Sequence, residues 1–283
     1  MTEGLKILTA KILFWLGYWY YRIFNTTPWL SYQSLRKLFY TTNGTFNQRI
    51  SDKISKEYPI YDTLESHGIL GNLNRAACQE IADKIQQDGF YIFDKKLDSD
   101  MVDKLVELSL NTNAIMIPAP PGQGPEPVKF NRLHPLTIKY QFQEEDLIQN
   151  HLIQRLVVDK SILSMAQVFL NSKPILDQIS MWWSTSISKS ASSEVAQLYH
   201  FDMERIKFLK FFFYLTDVNS ETGPHCYARG SNNGFPANLR KDGRIADAPL
   251  KRSHTKNVLL TDVSNVAVIL SIKKPESQSN ESA

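Results

Sequence analysis

The chain has 283 residues, which suffices for one large domain or two ordinary ones. With 42% apolar and 22% charged residues, it has the composition of a globular protein rather than of a disordered or fibrous one. The net charge of +3 gives no reason to expect nucleic acid as a partner. Two cysteines without CxxC spacing exclude a disulfide scaffold and a thiolate zinc site, and they fit the reducing cytoplasm, where we expect the protein.

An apolar, aromatic segment occupies residues 5–24. Its continuous apolar run, Ile12–Tyr21, is too short to span a bilayer, which needs about 20 residues. Two interpretations are open, of which we favour the first. Either an amphipathic helix packs its apolar face on the chain's own domain, or the helix lies in a membrane interface, where Trp and Tyr are favoured, and the protein is membrane-peripheral. The apolar face consists of seven residues at helical spacing: Leu5, Leu8, Ile12, Trp15, Leu16, Trp19 and Ile23.

Two helices are predicted after this segment. Apolar residues at helical spacing indicate a helix at Asn74–Asp88, with Asn74 as its N-cap and Gly89 at its end. A second helix is expected to begin at Asp98 or Ser99. The aromatic residues 90–93 between them predict a short strand, and residues 144–170 are predicted to be helical.

The pattern changes from helices to strands at Ile175. We therefore assign residues 1–70 to an N-terminal helical extension and residues 71–283 to the main domain, with a helical part at 71–172 and strands at 175–272. Helices followed by a run of strands are typical of an α+β or jelly-roll layout. The predicted strands are Ile179–Ser184, the segment through His200–Asp202, Ile206–Val218, Cys226–Arg229, and one or two within Asn257–Ile272.

His200 and Asp202 are the residues on which a functional hypothesis can be built. Side chains at i and i+2 of a strand lie on the same face, so an imidazole nitrogen and a carboxylate oxygen would point into one space. Two such groups are suitable ligands for a three-ligand iron site. The apolar segment Phe208–Leu215 that follows is consistent with a strand covered on both faces.

Three segments in order resemble the signature of a known family: Ala196–Asp202 (AQLYHFD), Phe213–Val218 (FYLTDV) and Thr222–Ser231 (TGPHCYARGS). Together they are similar to the phytanoyl-CoA dioxygenase (PhyH) family of non-haem iron, 2-oxoglutarate-dependent oxygenases. The similarity covers residues 175 to about 250, and three ordered motifs are far more specific than one His-x-Asp.

The resemblance implies an α+β fold built on a distorted double-stranded β-helix, which is a cupin-like jelly roll with flanking helices. It implies an oxidoreductase that binds Fe(II) through His200, Asp202 and a distal histidine. With 2-oxoglutarate as cosubstrate and dioxygen as oxidant, such an enzyme would hydroxylate a small or lipid-like molecule. Two nitrogens and one oxygen on one face of the metal leave three positions open for the keto acid and dioxygen.

The chain departs from the family's pattern after the third motif. The turn reads Gly230-Ser231-Asn232, where the family has Gly-Ser-His. After His200 only His225 and His254 remain, and His254 is the candidate third metal ligand. These departures predict a C-terminus that is shortened or altered and a jelly roll without its last strands.

The family's arginine anchor for 2-oxoglutarate is not found, because no arginine follows Arg252. Lys256, Lys273 or Lys274 would have to replace it. Three functions therefore stay open: an active oxygenase, a truncated or non-catalytic member that retains the fold, and a membrane-peripheral binding protein that uses its N-terminal aromatic helix.

Overall fold

The structure, a computed structural model, describes residues 3–61, 67–122, 124, 126–185, 187, 202, 205–218, 225, 227–233 and 265–275. In these residues, helices pack against one face of a six-stranded antiparallel sheet, which makes the fold α+β as expected. The sheet is open within the described part of the chain. The jelly roll therefore stays a prediction.

Three helices precede the main domain: α1 (Glu3–Phe24), α2 (Trp29–Thr42) and α3 (Thr45–Glu57). The first two form a hairpin whose close contact depends on Gly17. A Cβ atom at this position would lie 1.8 Å from Ser31 Oγ and 2.2 Å from Ser31 Cβ. The Ser31 hydroxyl donates to the carbonyls of Leu13 and Phe14, at 3.1 and 3.3 Å. The missing side chain of Gly17 thus allows α2 to approach the backbone of α1.

The predicted apolar face of α1 points away from this contact. Its seven residues, Leu5 to Ile23 at the spacing given above, are all exposed, and we call them the apolar ridge. The buried face of α1 is the opposite one, with Ala10, Phe14 and Gly17. The favoured interpretation, in which the ridge packs on the chain's own domain, is therefore wrong. None of the helices among the described residues is long and apolar enough to cross a membrane.

The first two helices of the main domain are α4 (Arg75–Asp88) and α5 (Ser99–Asn111), and their predicted caps are confirmed. The Asn74 side chain accepts a hydrogen bond from the Ala77 N–H, and Gly89 ends α4 with a φ of 89°. Asp98 accepts from the N–H groups at the start of α5. The predicted strand at residues 90–93 is wrong, because this segment is irregular.

Residues 144–170 form three helices: α6 (Glu144–Ile148), α7 (His151–Val157) and α8 (Lys160–Leu170). The breaks lie at Asn150 and Asp159, whose side chains accept hydrogen bonds from the first N–H groups of α7 and α8. Each cap starts a new helix in a new direction. The apolar pattern alone does not reveal these breaks, because Leu147, Leu152 and Ile162 are all buried in one core.

Eight strands are described, and the first two form a small hairpin. The large sheet has the order β4-β3-β5-β6-β8-β7, and every pair is antiparallel. The strands are β1 (His67–Gly68), β2 (Gly71–Asn72), β3 (Asn113–Ile117), β4 (Val128–Lys129), β5 (Lys139–Phe142), β6 (Ile175–Ser184), β7 (Phe208–Tyr214) and β8 (Asn265–Lys273).

The strand predictions are largely confirmed. Residues 179–184 form the second half of β6, β7 lies within the predicted 206–218 segment, and β8 begins within the predicted 257–272 segment. The predicted strand at 226–229 is wrong, since Tyr227–Arg229 is irregular. The segment through His200 lies outside the described residues, and Asp202 itself is not in a strand.

The last strand, β8, lies between β6 and β7 and pairs with both. Its residues Val268, Leu270 and Ile272 belong to the main core, with the apolar faces of α4 and α8. Ala267 and Ile269 on the other face are also buried. A central strand that is covered on both faces consists mostly of apolar residues, as β8 does.

The end of β8 also joins the main domain to α3. The ammonium group of Lys274 is buried and donates to the Ser51 carbonyl at 2.8 Å and to Ser55 Oγ at 2.6 Å. Burial, together with the positive charge of Lys207, lowers the pKa of Lys274 to about 8, and the nearby Asp52 opposes this shift. This contact connects the N-terminal helices to the centre of the sheet.

Replacing Gly17 by Ala is expected to lower the free energy of unfolding by about 1–3 kcal/mol, the usual cost of overpacking. The added methyl group would collide with Ser31 Cβ, which cannot move without its backbone. Chemical denaturation measures the effect. Gly4→Ala is the matched control in the same helix, because its Cβ would meet nothing within 4 Å. Equal stability of the two variants would contradict the proposed close contact.

Lys274 makes stability depend on pH in a definite direction. Its folded pKa lies below the ordinary value of 10.5, so between about pH 8 and 10.5 the unfolded chain binds more protons and stability rises with pH. The unfolding free energy of the wild type should therefore gain roughly 2–3 kcal/mol over that of Lys274→Met between about pH 7 and pH 10. Lys207 titrates in both proteins, so its contribution largely cancels in the difference between their unfolding free energies. Parallel curves would contradict the burial of this ammonium group.

Candidate functional site

The candidate site is built on the face of β7 that points away from the helices. Phe211 and Phe213 on one face belong to the main core. Side chains alternate along a strand, so Lys210, Phe212 and Tyr214 lie together on the other face. The strand thus presents a cation, an aromatic ring and a phenol side by side.

Asp202 lies against this face and forms an ion pair with Lys210. The Lys210 Nζ and Asp202 Oδ2 atoms are 2.6 Å apart. The carboxylate is one-third exposed, at 34% of its side-chain surface, and the lysine is less exposed, at 22%. The pairing fixes the carboxylate beside β7.

His225, from the third motif, packs on the same face. Its ring lies edge-on to Phe212, with the ring centroids 4.5 Å apart. Its backbone N–H donates to the Tyr214 hydroxyl at 3.1 Å, and the same hydroxyl is in close hydrogen-bond contact with His225 Nδ1. When the imidazole is neutral, the phenol can donate to Nδ1, which leaves the ring proton on Nε2. Tyr214 therefore orients His225.

Tyr227 extends the site towards the end of α4. Its ring stacks on Phe90, with the centroids 5.3 Å apart. Burial raises the pKa of Tyr227 to about 12, and the negative charges of Tyr214 and Asp202 contribute to the same shift. Although 44% of the Tyr227 surface is exposed, its hydroxyl stays protonated at neutral pH and can act as a hydrogen-bond donor.

The turn that carries Tyr227 is held by the C-terminus of α4. Gly230 N–H donates to the Asp88 carbonyl at 2.8 Å. The Asn232 side-chain amide donates to the carbonyls of Gln86 and Ile85, at 2.7 and 3.3 Å. The last carbonyls of a helix have no partner within the helix, so an amide donor satisfies them. Asn232, where the resembled family has histidine, thus acts as a cap for α4.

The described residues contain part of the predicted iron site. Asp202 is described, whereas His200 and the candidate third ligand His254 lie outside the described residues. No group of three or more His, Cys, Asp or Glu side chains suited to a metal is present in the described part of the chain. One carboxylate does not make an iron site, and the ammonium group of Lys210 competes electrostatically with a cation for Asp202.

Two of the three lysines considered as anchors for 2-oxoglutarate are used elsewhere. Lys274 donates to α3, as described above. Lys273 Nζ lies 3.3 Å from the buried Asp177 carboxylate, which also pairs with Arg205 at 2.9 Å. Lys256 lies outside the described residues, as does Arg252. Both described lysines are thus engaged with other groups of the chain.

A shallow groove of ≈ 330 Å³ lies elsewhere on the main domain. Its polar lining consists of the carboxylates of Glu144, Glu145 and Asp177, with apolar residues of α6 and β6 around them. Glu144 accepts a hydrogen bond from the Ile179 N–H, and Asp177 is ion-paired. Asp202, the described residue of the predicted iron site, is not among the residues that line this groove.

Sequence reasoning missed the part played by Tyr214 and Tyr227. The signal was present in β7, because period-two spacing places Lys210, Phe212 and Tyr214 on one face. The stacking of Tyr227 on Phe90 could not be predicted, since it joins segments that are far apart in the sequence.

The structure brings together described members of all three sequence motifs: Asp202 from the first, Tyr214 from the second, and His225 and Tyr227 from the third. Comparisons with protein-family models, with curated proteins and with solved structures found no match. The three motifs and this cluster are therefore the features of the chain that bear on its function.

Asn232→Ala is expected to lower the unfolding free energy by about 1 kcal/mol, since two helix carbonyls lose a donor. Limited proteolysis should then cut the 227–233 segment faster, because the bonds that hold it to α4 are lost. Asn111→Ala is the matched control: its amide also bonds a helix carbonyl, but within its own helix. If both variants behave alike, Asn232 does not hold the turn.

Proposed function

We propose that the chain is an Fe(II)- and 2-oxoglutarate-dependent oxygenase that resembles the phytanoyl-CoA dioxygenase family and hydroxylates a small or lipid-like molecule. The observation that carries the proposal is the cluster of Asp202, Tyr214, His225 and Tyr227. These residues come from three separate motifs whose order in the sequence is that of the family. Chance similarity of short motifs gives no reason for them to meet at one place.

In this proposal His200 and Asp202 would hold the metal, with His254 as the candidate third ligand. The α+β fold would be completed as a jelly roll. Bound iron would supply the activation of dioxygen. The overall reaction would oxidise 2-oxoglutarate to succinate and CO₂, with one oxygen atom entering succinate and the other entering the hydroxyl group of the product. The substrate C–H bond provides the remaining two electrons.

The chain's own residues have separate tasks near this centre. Without metal, Lys210 holds the Asp202 carboxylate beside β7 through the 2.6 Å ion pair, and it would give way when iron binds. Phe212 and the stacked pair of Tyr227 and Phe90 form an aromatic boundary beside it, which would limit access of water. Tyr227 keeps its proton at neutral pH and can donate to an anionic ligand, such as a keto acid.

A second candidate is a member that retains the fold and has lost turnover. The specific observation in its favour is the ion pair between Lys210 and Asp202, because an ammonium group is already bound to the carboxylate that would bind iron. The two described lysines that could replace the missing arginine are also engaged elsewhere. Turnover separates the two candidates.

The test is succinate formation from 2-oxoglutarate with added Fe(II), together with Fe(II) affinity. The wild type should form succinate, and His200→Ala and Asp202→Asn should each lose about 100-fold or more. Lys210→Met should bind Fe(II) about threefold to tenfold more tightly, because the competing positive charge is removed.

Lys84→Met is the matched control for Lys210→Met. Lys84 also pairs with a carboxylate, Glu80, but on the exposed surface of α4. Its Fe(II) affinity should equal that of the wild type. A wild type that neither forms succinate nor retains iron would contradict the oxygenase and leave the non-catalytic candidate. Unchanged succinate formation by His200→Ala would contradict the proposed metal ligands.

A further inference from the structure

The α1–α2 hairpin has an apolar surface that no other described part of the chain covers. Along the apolar ridge, Leu16, Trp19 and Ile23 expose 62%, 58% and 72% of their surfaces. α2 begins close to the end of α1 and adds Trp29, which is 69% exposed. A helix that is apolar on both sides needs a second apolar environment besides the core it already contacts. Contiguous exposed patches of this kind mark interaction sites.

The positive charge of the α1–α2 hairpin favours an anionic partner. Residues 3–42, which form the hairpin, carry five Lys or Arg and one Glu, so their formal charge exceeds the +3 of the whole chain. Lys11 and Arg22 follow the same helical spacing along one border of the ridge. Cations beside an apolar stripe are the pattern of helices that lie on anionic lipid surfaces.

The aromatic residues have the distribution expected at a membrane interface. Trp15, Trp19 and Trp29 are three of the five tryptophans of the chain, and Trp and Tyr rings are favoured at the level of the lipid headgroups. The Arg22 guanidinium lies 5.3 Å from the centre of the Trp19 ring. An arginine held there can reach headgroup phosphates while the ring enters the apolar layer.

A second copy of the chain fits this surface less well. A two-fold dimer would place the same patch against itself and would bring the Lys11 and Arg22 borders of two ridges close together. Like charges at the rim of an apolar interface oppose such pairing. An anionic bilayer instead offers an apolar layer and compensating charge at once.

We infer that the α1–α2 hairpin binds the surface of an anionic lipid bilayer, with the apolar ridge and Trp29 in the interface and α1 parallel to the membrane plane. The ridge runs for about 27 Å along α1, at 1.5 Å per residue. This inference depends on the exposed surface of the hairpin and not on the proposed oxygenase activity.

The test is sedimentation of the full chain with vesicles of phosphatidylcholine, with or without phosphatidylserine. The wild type should bind the phosphatidylserine vesicles about tenfold more strongly than phosphatidylcholine alone. The variant L16S/W19S/I23S should lose about tenfold or more of this binding. The matched control I92S/L133S removes two apolar residues that are at least as exposed, 77% and 84%, but lie outside the hairpin, and it should bind like the wild type.

Quenching of tryptophan fluorescence by brominated phospholipids provides a second readout, which needs no variant. Trp15, Trp19 and Trp29 should be quenched, whereas Trp183 is fully buried in the main core and should not be. Absence of vesicle binding by the wild type would overturn the inference. Equal vesicle binding by the ridge variant and the wild type would also overturn it. So would a wild type that is a dimer, does not bind vesicles, and dissociates when the ridge residues are substituted.

Discussion

The position of β8 between β6 and β7 is the constraint on which the rest of the structure depends. This strand of nine residues comes last in the described sequence and yet lies inside the sheet, with hydrogen-bonded partners on both sides. Without it, β7 would have no partner among the described strands, and Lys210 and Tyr214 would not be held on a common face. Because Lys274 follows directly after β8 and binds α3, the same strand also fixes the N-terminal helices to the main domain.

In the candidate site, a turn bound to α4 supports the aromatic residues, and the carboxylate of Asp202 is paired with a lysine. The turn at Gly230–Asn232 is fastened to the end of α4, and this contact carries Tyr227 to Phe90 and His225 to β7. Asp202 is held by Lys210 on the same surface. An anionic group that is already paired with a cation is a poor first ligand for a metal ion, unless further ligands are close by. The oxygenase hypothesis therefore requires His200 and a third ligand to act together against Lys210.

Features that depend on neighbouring residues could be predicted from the sequence. The caps Asn74 and Asp98 and the glycine end of α4 follow from local hydrogen bonding, and all three are confirmed. The strands β6 and β7 also follow from local pattern. The central place of β8 could not be predicted, because pairing between distant strands leaves no local signal. The aromatic residues 90–93 resemble a strand, but Phe90 owes its environment to Tyr227 from another segment.

The apolar ridge is a second case in which a local sequence pattern does not predict the contacts of a segment. Periodicity identified the correct seven residues, but it does not tell which of two apolar faces packs inside. Gly17 and Ala10 are small, and they pack more closely against α2 than the large ridge residues could. The same limit applies to the predicted metal ligands. The spacing of His200 and Asp202 does not reveal that Lys210 forms an ion pair with Asp202.

A crystal structure of the full chain, grown without oxygen in the presence of Fe(II) and 2-oxoglutarate, would test the central claim most directly. Anomalous scattering at the iron edge locates the metal independently of any assumption about its ligands. The account predicts one iron peak bonded to His200 and Asp202, with the ammonium group of Lys210 displaced from the carboxylate. An intact Asp202–Lys210 ion pair with no iron between His200 and Asp202 would contradict it.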